Sequence, residues 1–259
     1  MPTIEVLQLT DLHLMCNAEM TLKGVCTRQT LEDVLQFVRD AEQAGRWDFD
    51  HIIITGDIAH DEQLATYEAL REMLGEWLPR CRMIPGNHDD RGLIRRVFPE
   101  IVPAEPYVTF SFAADGWRLI GLDTHLPGQV AGRIDKEQLD WLAGELRASS
   151  SPSTILYMHH PPFHVQSNWL DAINLQEFAA FIGLLGSFPQ VRAICTGHVH
   201  QQYETRHGEI DLMTTPSTSV QFLPRAETLI VDELPPGFRV FRIDGDTFHS
   251  EVVRLPNLN

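Results

Sequence analysis

A chain of 259 residues with 43% hydrophobic and 22% charged residues has the composition of an ordinary globular protein, with enough length for one continuous α/β core and no low-complexity tract, which excludes a disordered chain. Its formal charge of −16 repels polyanions, and the one cluster of bases, Arg91, Arg95 and Arg96, reads as a solvated face. A protein that tracks along a nucleic acid polymer or lies on an anionic membrane is therefore not expected.

In chain order, Ile4 to Leu9 reads as a strand and Thr27 to Ala44 as a helix whose Leu31, Val34, Leu35 and Val38 form one apolar stripe. His51 to Thr55, Glu62 to Leu74 and Arg82 to Ile84 continue the alternation as strand, helix and strand. Tyr107 to Phe112 and Trp117 to Leu122 are predicted as a hairpin turned by Ala113 to Gly116, followed by a helix over Asp135 to Leu146. Ile155 to Met158 and Ala193 to Thr196 are buried strands separated by a helix over Leu175 to Leu185. Four more strands follow, Gln202 to Arg206, Ile210 to Thr214, Phe238 to Ile243 and Phe248 to Val253, with the proline-rich Pro216 to Pro236 as a long connection.

Helices placed early and centrally, with strands throughout, predict two packed sheets flanked by helices. Residues 1 to 259 are expected to form a single domain, 201 to 259 being a mostly β part of it. Cys16, Cys26, Cys81 and Cys195 lack the spacing of a zinc knuckle or disulfide framework and are read as buried or half-buried thiols. With no basic, apolar leader and no run of membrane-spanning length, a cytoplasmic protein is expected.

The chemistry lies where the apolar strands stop. Successive strands run into Asp11-Leu12-His13, Gly56-Asp57, Gly86-Asn87-His88-Asp89, His159-His160 and Gly197-His198-Val199-His200. In open α/β sheets such carboxyl ends converge on one crevice. Two divalent ions close together need several donors each and a bridging carboxylate to offset their repulsion, for which Asp57 is the choice. Donors of carboxylate, imidazole and amide type without thiolate suit manganese, iron or zinc. Asp11-Leu12-His13, Gly56-Asp57 and His159-His160 alone are more simply a surface turn or a strand-to-loop transition, and the other two blocks are moderately specific; their joint order carries the signal. His60, Asp61, Asp89 and His164 adjoin the blocks, and His125 ends a strand after Asp123; loop polarity is the preferred reading for them.

These blocks resemble the hallmark motifs of the calcineurin-like metallophosphoesterases, D-x-H, G-D, G-N-H-[DE], H and G-H-x-H. The resemblance implies a four-layer sandwich of two mixed β-sheets flanked by helices. It implies that Asp11, His13, Asp57 and His200 bind one metal, that Asp57, Asn87, His159 and His198 bind the other, and that His88 acts beside them on the transition state or the leaving oxygen. Further stretches, Gly24 to Arg28, Trp169-Leu170-Asp171 and Pro216 to Phe222, are similar to the bacterial class III 3′,5′-cyclic-AMP phosphodiesterases of the Icc or CpdA type, with a departure at Cys26, where that group usually carries Asn. The implied activity is hydrolysis of a cyclic nucleotide, cyclic AMP favoured, to the 5′-monophosphate by hydroxide held at two transition-metal ions. The implied partner is a small phosphodiester; a homodimer is admitted. The alternatives are a glycerophosphodiesterase, a phosphomonoesterase or a nuclease of the same scaffold, or a non-catalytic interaction module.

Overall fold

The computed structural model describes residues 3–102, 106–148 and 153–256. The first sheet holds β1 (Ile4–Leu9), β4 (His51–Thr55) and β5 (Cys81–Ile84) in parallel, extended antiparallel beyond β1 by β14 (Gly237–Asp244) and β15 (Thr247–Arg254). The second holds β7 (Trp117–Leu122), β8 (Ser153–Met158), β9 (Val191–Thr196) and β11 (Ile210–Thr214) in parallel, with β6 (Phe110–Ala114) and β10 (Tyr203–His207) as antiparallel edges. Both sheets are mixed, as expected.

The two-residue period of each strand sorts its side chains into separate cores. Val6, Ile53, Leu119, Ile155, Ala193 and Cys195 pack between the sheets. Their neighbours Leu7, Ile52 and Ile54 face outward against α1 (Thr27–Gln43) and α2 (Leu64–Leu74), while Ile120, Leu156 and Ile194 face outward against α4 (Lys136–Ala148) and α6 (Phe178–Leu185). Three cores between four layers follow from alternation alone. The strands read as unbroken apolar runs because both of their faces are covered.

Most element ends shift by one or two residues from the expectations, and a few differences have a visible cause. The hairpin turn is the pair Asp115-Gly116, both with positive φ (39° and 85°), the geometry that two-residue connections between twisted strands favour, so β6 reaches Ala114. Its start is delayed to Phe110 because the Val108 N–H is diverted to the Asp123 carboxylate. α6 begins at Phe178 rather than at Leu175, since Glu177 is held in the left-handed region (φ 52°), outside helical geometry, while the N–H groups of Leu175 and Gln176 bond the loop carbonyls of Pro161 and Gly132. The connection after β11 is also less idle than its prolines suggest, carrying the short antiparallel pair β12 (Gln221–Phe222) and β13 (Val231–Asp232). A second short hairpin, β2 (Thr21–Leu22) with β3 (Val25–Cys26), precedes α1. The short helices α3 (Arg91–Val97) and α5 (Asn168–Asp171) and a 3-10 helix over Gly75–Arg80 are the remaining described elements.

All four thiols are free; Cys81 and Cys195 are buried and Cys26 is half-buried, but Cys16 is exposed, against expectation. Among the described residues no helix is long and apolar enough to cross a membrane.

Candidate metal centre

Asp11 and His13 follow β1, Asp57 follows β4 and Asn87 follows β5, all from the first sheet, while His159 follows β8 and His198 and His200 follow β9 in the second. Because the parallel strands of both sheets end on one side, all seven candidate ligands meet there. Asp11, His13, Asp57, His159, His198 and His200 are buried, and Asn87 and His88 are half-buried. The Nε2 atoms of His13 and His159 each lie 3.5 Å from Asp57 Oδ2, and His200 Nε2 lies 3.1 Å from His13 Nε2 and 3.3 Å from Asp11 Oδ1. Asp57 thus sits between two sets of imidazoles.

Five of these residues are held in the left-handed backbone region: Asp11 (φ 54°), His13 (47°), Asp57 (50°), His198 (70°) and His200 (50°). Non-glycine residues adopt it at a cost, which concentrates at sites where geometry serves function. The preceding glycines answer a different need. A Cβ on Gly86 would stand 2.1 Å from Asp57 Oδ1, and one on Gly197 would stand 2.0 Å from Thr10 Oγ1. Only a bare backbone lets the neighbouring strand ends approach so closely.

Backbone carbonyls fix which imidazole nitrogen carries the proton. His159 Nδ1 donates to Thr55 O (2.7 Å), His200 Nδ1 to Val220 O (2.7 Å) and His198 Nε2 to Ile173 O (3.1 Å). In each neutral ring the other nitrogen keeps its lone pair and turns it into the centre. His198 Nδ1 consequently faces Asn87 Oδ1 at 3.0 Å, acceptor against acceptor. Converging lone pairs without donors are what a cation relieves. Seven oxygen and nitrogen donors, sulfur absent, fit a pair of transition-metal ions.

The electrostatics agree. Burial pushes the imidazoles of His13 and His198 down to about 3. Burial opposes a proton on His159 as well, but the Asp57 carboxylate beside it prevails and lifts that imidazole to about 9. Against the cost of its own burial, Asp57 is held well below the usual carboxylate range by the charge and hydrogen bond of His159. In the metal-free protein the His159 proton supplies the positive charge that Asp57 requires.

Residues outside the motifs brace the centre. Ser217 and Ser219 both donate their hydroxyls to Asp11 O (2.7 and 2.9 Å), and the Thr218 N–H donates to Thr10 O (3.1 Å), which gives the Pro216 to Phe222 stretch a physical role. Asp89 accepts from the N–H groups of Gly86, Ile58 and Ala59 and from Tyr67 Oη, tying the loop after β5 to the loop after β4. His60 Nδ1 lies 3.2 Å from His13 Nδ1, and its ring stacks on His88 at 4.7 Å. His160 is satisfied by Thr124 Oγ1 and Val130 O and offers nothing to the centre. His125 lines another cavity beside Arg91 and Arg133, Asp61 serves the Cys16 N–H and the Thr66 hydroxyl, and exposed His164 packs on Phe178. Of the residues adjoining the motifs, His60 and Asp89 alone enter the site's own bonding. Asp89, the last residue of the G-N-H-D block, was visible in the motif; Ser217 and Ser219 lie in a stretch that the resemblance singled out, but no residue pattern gave them a role at the centre.

A cavity of about 230 Å³ opens over the centre, with His13, Asp57, Asn87, His88, His198 and His200 in its floor. Its other walls carry Leu22, Val130, Trp169, Ile173, Phe222 and Leu229, with Lys23 as the one Lys or Arg in the lining.

Residues 4–202 match the family model of the calcineurin-like phosphoesterases. The chain belongs to that family. It is 35% identical over 240 residues to the 3′,5′-cyclic adenosine monophosphate phosphodiesterase CpdA of Vibrio vulnificus, covering 92% of this chain and 84% of the relative. It is 31% identical to the CpdA of Escherichia coli K12, covering 97% and 90%. Among solved structures it resembles a dimetal phosphatase from Danio rerio (TM-score 0.64, 14% identity, 97% and 98% covered) and the purple acid phosphatase PPD1 of yellow lupin (TM-score 0.72, 13% identity, 98% and 52% covered), likenesses of fold alone. Calcineurin-like phosphoesterases use a dinuclear metal centre, and the donor set here fits one.

Proposed function

We propose that this chain is a dinuclear-metal phosphodiesterase that opens 3′,5′-cyclic AMP to the 5′-monophosphate. The observation that carries the reading is the complete inward-facing donor set, lying beneath a cavity of nucleotide scale in a chain whose relatives are named for that activity. In this reading Asp11, His13, Asp57 and His200 hold one ion, and Asp57, Asn87, His159 and His198 hold the other. Iron or manganese is favoured, with zinc admitted. The ions supply Lewis acidity, which activates water and offsets charge developing on phosphoryl oxygens.

The chain's own residues do the rest. Asp57 shares its carboxylate between the two sets of imidazoles, and the carbonyls of Thr55, Val220 and Ile173 keep those rings oriented. His88 reaches the cavity from a backbone anchored by Asp57 and a ring stacked on His60, which suits it to give a hydrogen bond or proton to the leaving oxygen. The ester oxygen that leaves a phosphodiester departs as an alkoxide, so that assistance matters. Residues 1–259 act as one domain on a small substrate; the acidic surface disfavours a polymer. The test is a product assay over cyclic nucleotides, phosphomonoesters and glycerophosphodiesters on protein reconstituted with Mn²⁺ or Fe. Formation of 5′-AMP from cyclic AMP as the preferred reaction is expected; a preference for either other class would overturn the reading.

A further inference from the structure

The cavity is divided by chemistry: its metal-facing floor is polar, while the opposite walls are apolar and aromatic. A glycerophosphodiester or a small monoester would leave those walls unused. Trp169, on α5, and Phe222, on β12, meet edge to face with centroids 5.3 Å apart, and Phe222 also stacks on His200 at 4.3 Å and 16°. The phenyl ring therefore spans from the metal centre to the indole.

The segments that carry the two rings are tied to each other. The Arg225 N–H donates to Ser167 Oγ at 2.9 Å, just before α5, and Asn168 Nδ2 donates to Glu227 Oε2 at 2.8 Å, so α5 and the segment after β12 hold each other. Asp171 accepts from the Val165 N–H and closes the turn beneath them. Trp169 Nε1 is buried without a hydrogen-bond partner, an unmet donor on a wall of the substrate cavity.

Resting on the phosphodiesterase reading above, we infer that Trp169 and Phe222, closed over by Leu22 from the β2–β3 hairpin, form a nucleobase subsite that selects a base-bearing phosphodiester. Stacking on aromatic side chains binds any base through its π face, with an effect on the order of tenfold or more in affinity per base. Trp169 is the specificity residue of the pair, because Phe222 also supports His200.

The experiment compares kcat and KM for cyclic AMP with those for ribose 3′,5′-cyclic phosphate, which lacks the base. The wild type should prefer cyclic AMP by tenfold or more in kcat/KM, through KM. Trp169→Ala should reduce that preference below about threefold by raising KM for cyclic AMP, and Trp169→Phe should restore most of it. Equal kcat/KM for the two substrates in the wild type would overturn the subsite without any variant, as would an unchanged preference in Trp169→Ala. Hydrolysis of neither cyclic substrate, with turnover of bis(p-nitrophenyl) phosphate intact, would instead sink the parent reading.

Discussion

The His88 backbone N–H donates to Asp57 Oδ1 at 2.9 Å, so one carboxylate both joins the two sets of imidazoles and places the residue proposed to assist the leaving group. Asp57→Asn removes the charge that offsets cation repulsion and leaves one oxygen to serve both sets. Bound metal should fall from about two ions per chain to below one, and kcat by on the order of 1,000-fold. Elemental analysis of the reconstituted variant checks this; two ions retained would contradict the shared role.

His88 itself is half-buried; its ring nitrogen lies within 4.8 Å of those of His13 and His60, and in the proposed reading it stays outside the ligand set. His88→Ala should leave metal content near that of the wild type while lowering kcat on cyclic AMP by roughly 100- to 1,000-fold. On bis(p-nitrophenyl) phosphate, whose leaving group is stable as an anion, the loss should be at least tenfold smaller. Equal losses on the two substrates would point to a role in orienting the phosphate instead.

How legible this was differs from residue to residue. The meeting of the candidate ligands could be read because each block follows an apolar strand, and strand ends converge by topology. Which of His159 and His160 faces the centre could not be read from the pair, since both are buried; the decision lies in Thr124 and Val130, which occupy both nitrogens of His160. The Pro216 to Phe222 stretch stood out by resemblance, but what Ser217 and Ser219 do there was hidden, because their partner is a backbone carbonyl more than 200 residues earlier. The start of α6 was misplaced because Glu177 takes a left-handed conformation that no local residue pattern signals. Local pattern specifies elements and their ends; long-range bonds to the backbone leave no such trace.

Asp89 bears directly on stability. Replacing it with Ala strands the N–H groups of Gly86, Ile58 and Ala59 in a dry site, each costing about 1–3 kcal/mol where no water enters. Asp89→Ala should destabilise the protein by about 3 kcal/mol, lowering Tm by roughly 6–12 °C for a domain of this size. Asp89→Asn, which keeps one acceptor oxygen, should lose less. Thermal unfolding decides, and an unchanged Tm for the alanine variant would show that the two loops hold without the carboxylate.

The same buried groups set a pH dependence for the metal-free protein. His13 and His198, lowered from 6.5 to about 3, take up protons in the unfolded chain below pH 6.5 that the fold refuses until about pH 3, so stability falls with pH across that range. Asp89, pushed up to about 7 by burial and by Asp57, works in the opposite direction between 3.8 and 7, one group against two, while His160, held well below 6.5 by burial, adds to the loss. On the alkaline side His159 decides: raised to about 9, its contribution is complete below 6.5 and is lost as pH rises through 9. Urea unfolding in the presence of a chelator should therefore give maximum stability near neutral pH, with a decline on both sides. Bound metal takes over the charge that the His159 proton supplies, so saturating Mn²⁺ should flatten the alkaline decline between pH 7 and 9. An alkaline limb of equal slope with and without metal would mean that His159 does not exchange its proton for a cation.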